Sequence, residues 1–126
     1  MAINQLTPDN VNTTIDSNDI VIIDFWAPWC APCLSFKPIF EAASQRHSDV
    51  TFVACNTQDE QELAGAFRIN SIPTVMVFRQ GVLLYNQPGM LPAPALEELI
   101  GKVKDLDMDK IHAEIAEQQQ QQVEQN

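Results

Sequence analysis

The chain of 126 residues has only three cysteines, Cys30, Cys33 and Cys55. So few, and an odd number, exclude the framework of bridges that holds small secreted domains together. Thiol redox chemistry and metal binding remain as uses for them. Long apolar runs are missing too: Ile20–Ile23 is cut off at Asp24, far short of the roughly 18–20 residues a membrane helix needs. The first residues, Met1-Ala2-Ile3-Asn4-Gln5, have neither the basic start nor the apolar stretch of an export signal, so the expected compartment is the cytoplasm. Positive charge is scarce. Seven Lys and Arg face 17 Asp and Glu, giving a net charge of −10, which disfavours nucleic acid and anionic membranes as partners. No internal repeat is visible.

What is present suits one globular domain: 45% of the residues are apolar, enough for an ordinary core. The acidity is concentrated late. Residues 97–126 carry eight acidic and three basic side chains, against nine and four in the much longer stretch before them. Together with the tract Gln118–Gln122, this marks a solvated end. We therefore expect a domain over 1–104 and an acidic, Gln-rich extension over 105–126. The stripe Met108, Ile111 and Ile115 predicts helix in part of that extension, with fraying beyond Glu117.

Within the domain, Ile3–Leu6 is a short strand candidate, and Thr7-Pro8-Asp9 reads as a helix start. Ile20–Phe25 is β-branched and almost wholly apolar, as a strand buried on both faces is. A helix follows from about Cys30 to His47, offering Leu34, Ile39, Phe40 and Ala43 to the core, with Pro38 inside it. Val50–Asn56 is a strand and Glu60–Phe67 a short helix. Thr74–Phe78 and Val82–Tyr85 flank Gln80-Gly81 as a hairpin. Pro94 opens a helix with Leu96, Leu99, Ile100 and Val103 facing inward. The implied fold class is α/β, a mixed central sheet of about five strands flanked by helices on both faces.

The chemistry concentrates at Cys30-Ala31-Pro32-Cys33, where the buried strand ends and a helix begins. A thiol at a helix N-terminus faces unpaired N–H groups and the positive end of the dipole, and both favour its thiolate. Cys33, one turn further in, is the more shielded. Cys30 is thus expected to attack a substrate disulfide and Cys33 to resolve the mixed disulfide. Pro32 in place of a histidine favours reduction over oxidation. A zinc site would need a second ligand pair, which Cys55, His47 and His112 do not provide at any paired spacing. Cys55, on a predicted buried strand, is expected to be an inert core thiol.

The segment Asp24-Phe25-Trp26-Ala27-Pro28-Trp29-Cys30-Ala31-Pro32-Cys33 resembles the active-site segment of the thioredoxin family nearly residue for residue. Ser71-Ile72-Pro73-Thr74, the hairpin around Gly81, and Gly89 fall at the distances that family requires, and the similarity covers about residues 3–104. The resemblance implies a protein-disulfide reductase with no bound cofactor, recharged by an NADPH-dependent thioredoxin reductase and acting on disulfide-containing client proteins. It implies that Asp24 is a buried proton acceptor for the resolving thiol and Pro73 a cis-proline opposite the cysteines. Trp29, Pro32, Ile72 and Gly89 would form the rim of the docking surface, with Phe25 and Trp26 packed around the motif.

There are departures from the family pattern. Ala31 stands where glycine is usual and Leu34 where lysine is common. Ala54 aligns with the lysine that commonly neighbours the buried Asp, so no cation is expected beside Asp24. The extension lies outside the family pattern. It leaves room for self-association, or for an alternative reading of the chain as a binding or co-chaperone module.

Overall fold

A computed structural model describes residues 3–125, with side chains described through Gln122. Met1, Ala2 and Asn126, assigned above to the domain and to the end of the extension, lie outside the described residues. Five strands form one sheet: β1 (Asn4–Gln5), β2 (Ile20–Trp26), β3 (Thr51–Asn56), β4 (Thr74–Arg79) and β5 (Val82–Pro88), in the order β1-β3-β2-β4-β5. β1, β3 and β2 run parallel, while β4 and β5 are antiparallel additions. The helices are α1 (Val11–Ser17), α2 (Ala31–Arg46), α3 (Gln61–Ala66), α4 (Ala93–Asp105) and α5 (Met108–Gln125).

β2 has neighbours on both edges and packed layers on both faces, which is why its apolar residues do not alternate with polar ones. Ile20 and Ile22 join Phe36, Phe40, Phe52, Val75, Val77, Leu96 and Ile100 in the layer beneath α2 and α4. Val21, Ile23 and Phe25 join Val53, Cys55, Leu63, Met76 and Phe78 on the other face, against α1 and α3. Phe67 closes that second layer, tilted on Phe25 and edge-on to Phe78. At the hairpin tip, Gln80 and Gly81 both have positive φ, 53° and 80°, as the tight turns that match strand twist require.

Several expectations change on folding. The first helix begins at Val11 and not at Pro8. Thr7 does not cap it with its hydroxyl; the Asn10 side chain instead accepts from the Thr7 N–H at 2.8 Å. On α2 the inward residues are Cys33, Phe36, Phe40 and Ala43. Leu34, expected in the core, is 49% exposed, because the helix turns it about 100° away from Cys33. Ile39 packs only partly against the core. α2 runs through Pro38, which is exposed, so the Leu34 carbonyl that Pro38 cannot pair can be met by water.

The extension does not fray at Glu117 but stays helical to Gln125. Ala, Gln and Glu are good helix formers and lose little rotamer freedom in that state. α5 is tied to the domain at its start. Met108 is buried, and Arg79 Nη1 donates to the carbonyls of Val103, Lys104 and Leu106 at 2.9, 3.2 and 3.1 Å. The last carbonyls of a helix are short of intrahelical donors; here Val103 also accepts from the Leu106 N–H at 3.4 Å.

Candidate active site

β2 ends at Trp26, and the chain turns through Ala27-Pro28-Trp29 to place Cys30 as the N-cap of α2. The turn is held by the Cys30 N–H on the Ala27 carbonyl at 3.2 Å, and by the Thr57 N–H on the Trp26 carbonyl at 2.8 Å. Cys30 and Cys33 form a disulfide, with Cα atoms 5.2 Å apart. The Cys33 N–H donates to Cys30 Sγ at 3.3 Å, so the sulfur that caps the helix already receives one of its free donors. With the sixteen-residue helix behind it, this is a site where negative charge on Cys30 is stabilised.

The second wall comes from a distant part of the chain. The Ile72–Pro73 peptide is cis, as the resemblance implied, and the Ile72 carbonyl oxygen lies 3.8 Å from Cys30 Sγ. The Gly89 N–H donates to the Pro73 carbonyl at 2.8 Å. Gly89 has φ of 103°, a conformation open to glycine and strained for other residues. Trp29 is 70% exposed, Pro32 and Gly89 are exposed and Ile72 is half-buried. Of the four expected rim residues, Ile72 packs against Cys30 and Cys33, Trp29 and Pro32 adjoin or lie within the motif, and Gly89 is tied to Pro73, which is itself buried. Leu34, next to Cys33, and Met90, next to Gly89, are exposed apolar side chains as well. Met90 was not singled out by sequence; its place after Gly89 was the available signal.

Beneath the disulfide lies Asp24, 4% exposed, with Oδ1 buried and without a hydrogen-bond partner. Burial pushes its carboxyl up to about 7, and the positive charge of Lys37 pulls in the opposite direction. This corrects the expectation that Asp24 has no cationic neighbour. Lys37 is one turn after Cys33 on α2, a spacing that puts both on one helix face. That signal was present in the sequence. Asp24, Cys33 and Lys37 share the lining of a cavity of about 220 Å³ with Trp26, Ala54 and Glu41. Trp26, expected in the core, is half-buried, and the Lys37 ammonium sits 5.3 Å from its ring centroid.

Cys55 lies on the far face of the sheet, wholly enclosed, where burial and then Glu60 push its thiol up to about 11. His47 belongs to a surface network with Glu97 at 2.9 Å and Lys104 at 3.0 Å, and His112 contacts Gln80. Neither is close to the cysteines in sequence or joined to them by a hydrogen bond in that network.

A strand-to-helix dithiol, a cis-proline opposite it and a carboxylate beneath it agree with what known proteins show. The thioredoxin family model matches residues 2–104. The chain belongs to the thioredoxin family. It is 45% identical to a putative thioredoxin 2 of Streptomyces coelicolor over 117 residues, 93% of this chain and 87% of the relative. It is 38% identical to the thioredoxin of Bacillus subtilis, covering 68% of this chain and 84% of that one. The oxidised mitochondrial thioredoxin 3 of Saccharomyces cerevisiae superposes with a TM-score of 0.72 at 31% identity, over 82% of this chain and 95% of that chain. The protein is accordingly a thiol–disulfide oxidoreductase that reduces protein disulfides. Among the described residues, no helix is long and apolar enough to cross a membrane.

Proposed function

We propose that Cys30 is the attacking thiol, Cys33 the resolving thiol and Asp24 the acceptor of the Cys33 proton. The observation that carries this reading is the asymmetry of the pair. Cys30 caps α2, receives the Cys33 N–H and stands beside the Ile72 carbonyl, whereas Cys33 lines the cavity it shares with Asp24. The Cys30 thiolate attacks one sulfur of a client disulfide; the S–S bond breaks, and the other client sulfur leaves as a thiolate and takes a proton. Cys33 then gives its proton to the Asp24 carboxylate and attacks Cys30 Sγ. The second client thiolate is released and the Cys30–Cys33 disulfide remains. The client gains two electrons and the enzyme loses them.

Trp29, Pro32, Ile72, Pro73 and Gly89 bind the client. An extended client segment has the Ile72 carbonyl as a backbone partner, and apolar contact with Trp29 and its neighbours supplies affinity without demanding one sequence. No cofactor is bound in the cycle. Electrons come back from an NADPH-dependent thioredoxin reductase, so the protein is an electron carrier between that enzyme and its clients, working in the cytoplasm. The thioredoxin unit is 1–104. Self-association through 105–126 would rely on the half-buried Ile111 and Ile115, since Met108 is taken up by the domain. The test is Cys33→Ser in cells or lysate: clients should accumulate as mixed disulfides on Cys30. Adducts on any other cysteine, or none, would overturn the assignment.

A further inference from the structure

The cavity behind Cys33 is lined by few charges. Asp24 stands in register with Ala54 on β3 and Val75 on β4, so neither neighbouring strand offers it a polar partner. From β1 and the residue before it come Gln5 and Ile3, and from α2 Cys33, Lys37 and Glu41. Lys37 and Glu41 are thus the charged groups facing Asp24, one of each sign, and Cys33 is the titratable thiol between them when the disulfide is reduced. Lys37 is the sole lysine before Lys102. It joins none of the ion pairs among the described residues, and its ammonium is kept over the Trp26 ring instead, an arrangement that cation–π attraction favours.

We propose that Lys37 is the positioning charge of the resolution step: held over Trp26, it keeps part of the Asp24 population ionised and ready to take the Cys33 proton. The inference rests on the reading of Asp24 as proton acceptor. Without Lys37, desolvation would act on Asp24 with only the like charge of Glu41 for company, and both effects keep a carboxyl protonated. A protonated Asp24 cannot take a proton from Cys33. Lys37 therefore acts through Asp24 and does not touch the reacting sulfurs. The small Ala54 side chain leaves the space that makes a charge placed on α2 able to reach inward.

The test is titration of the Asp24 carboxyl by carbon NMR in the full-length oxidised protein, alongside the pH profile of mixed-disulfide resolution in stopped flow. Lys37 is exposed, so its variants should fold. Lys37→Gln should raise the Asp24 titration by roughly one pH unit, the low end of what a nearby opposite charge does. From a starting value of about 7, that removes about four-fifths of the carboxylate at pH 7 and slows resolution about fivefold. The difference should vanish above pH 9. Lys37→Arg should behave as wild type. Ala54→Lys in the Lys37→Gln background should restore both readouts, because position 54 is in register with Asp24. An unmoved Asp24 titration in Lys37→Gln overturns the proposal, whatever the kinetics. If Asp24→Asn leaves resolution unchanged while Lys37→Gln still shifts the titration, the proton-acceptor reading fails and Lys37 tunes a carboxylate the reaction does not use.

Discussion

Asp24 and Cys55 lie on neighbouring central strands, Asp24 opposite Ala54 and Phe25 opposite Cys55. Both are buried and both ionise at a raised pH for the same first reason, loss of water. One residue along the strand flips the side chain to the other face, and the two groups then part company. Asp24 opens on a cavity lined by Cys33, Lys37 and Glu41. Cys55 is sealed among Val21, Ile23, Phe25 and Met76, away from the cavity that Cys33 and Asp24 share. Burial shifts an ionisable group; access and a reacting neighbour make it useful.

Four experiments bear on that contrast. The largest effect is expected at the cysteines above Asp24: Cys30→Ser should bring insulin reduction down to background. Turnover surviving in that variant would mean that the face carrying Asp24 is not the working one.

Next comes Asp24 itself. Its carboxyl titrates about 7 in the fold against 3.8 in a model compound. The native state therefore binds more protons than the unfolded state between those values, and stability must fall as pH rises from 4 to 8. Asp24→Asn should remove this slope. At pH 8 it should be more stable than wild type by a few kcal/mol, at about 1.4 kcal/mol per tenfold in proton affinity. It should also slow resolution at pH 7 by about 10-fold to 100-fold. Denaturant melts at pH 4 and 8 check the first claim; parallel curves for both proteins would show that Asp24 is charged in the native state throughout.

Deleting residues 105–126 should matter less. Insulin reduction should stay within about twofold, while loss of the buried Met108 and of the Leu106 carbonyl, one of the three that Arg79 holds, costs about 2 kcal/mol of stability. Sedimentation of both lengths reads self-association in the same samples. Because the S. coelicolor relative aligns over 93% of this chain, the similarity runs beyond residue 104 into α5. A truncated protein that stays folded but loses activity would move the functional boundary into α5.

The smallest effect belongs to Cys55. Cys55→Ala should leave turnover unaltered and lower stability by about 1 kcal/mol, as small cavities in a core do. With its thiol raised to about 11, roughly one part in 10³ is thiolate at pH 8. Iodoacetamide on the reduced native protein should label Cys30 and spare Cys55, as peptide mapping would reveal. Early labelling of Cys55 would erase the contrast with Asp24.

Much of this was legible in the residues. The β-branched run before Asp24 marked β2, and the CAPC segment at its end marked the site, because strand, turn and helix start are all decided within about fifteen positions. The hairpin at Gln80-Gly81 was equally local. Leu34 was expected in the core and proved exposed, while Phe36, not named from the sequence, is buried; both are apolar, and only the rotation of α2 on the sheet decides which one faces inward. The start of α1 slipped because the Asn10 amide, and not the Thr7 hydroxyl, makes the local bond. Lys37 was missed as a neighbour of Asp24 because that contact crosses from α2 to β2, and its sign and reach depend on how the two pack.

The amino-acid sequence alone determined the reactive pair, their order along a helix start and the expected direction of charge stabilisation on Cys30, all consequences of backbone donors within one turn. Tertiary structure decided the rest. Strand order β1-β3-β2-β4-β5 brings Ile72, Pro73 and Gly89 from forty to sixty residues away to the lip of the disulfide. Docking of α2 turns Cys33 and Lys37 toward Asp24. Removal of water from that carboxyl, which raises it to about 7, is the work of every element that covers it, since desolvation is a property of the packed surroundings and of no single residue.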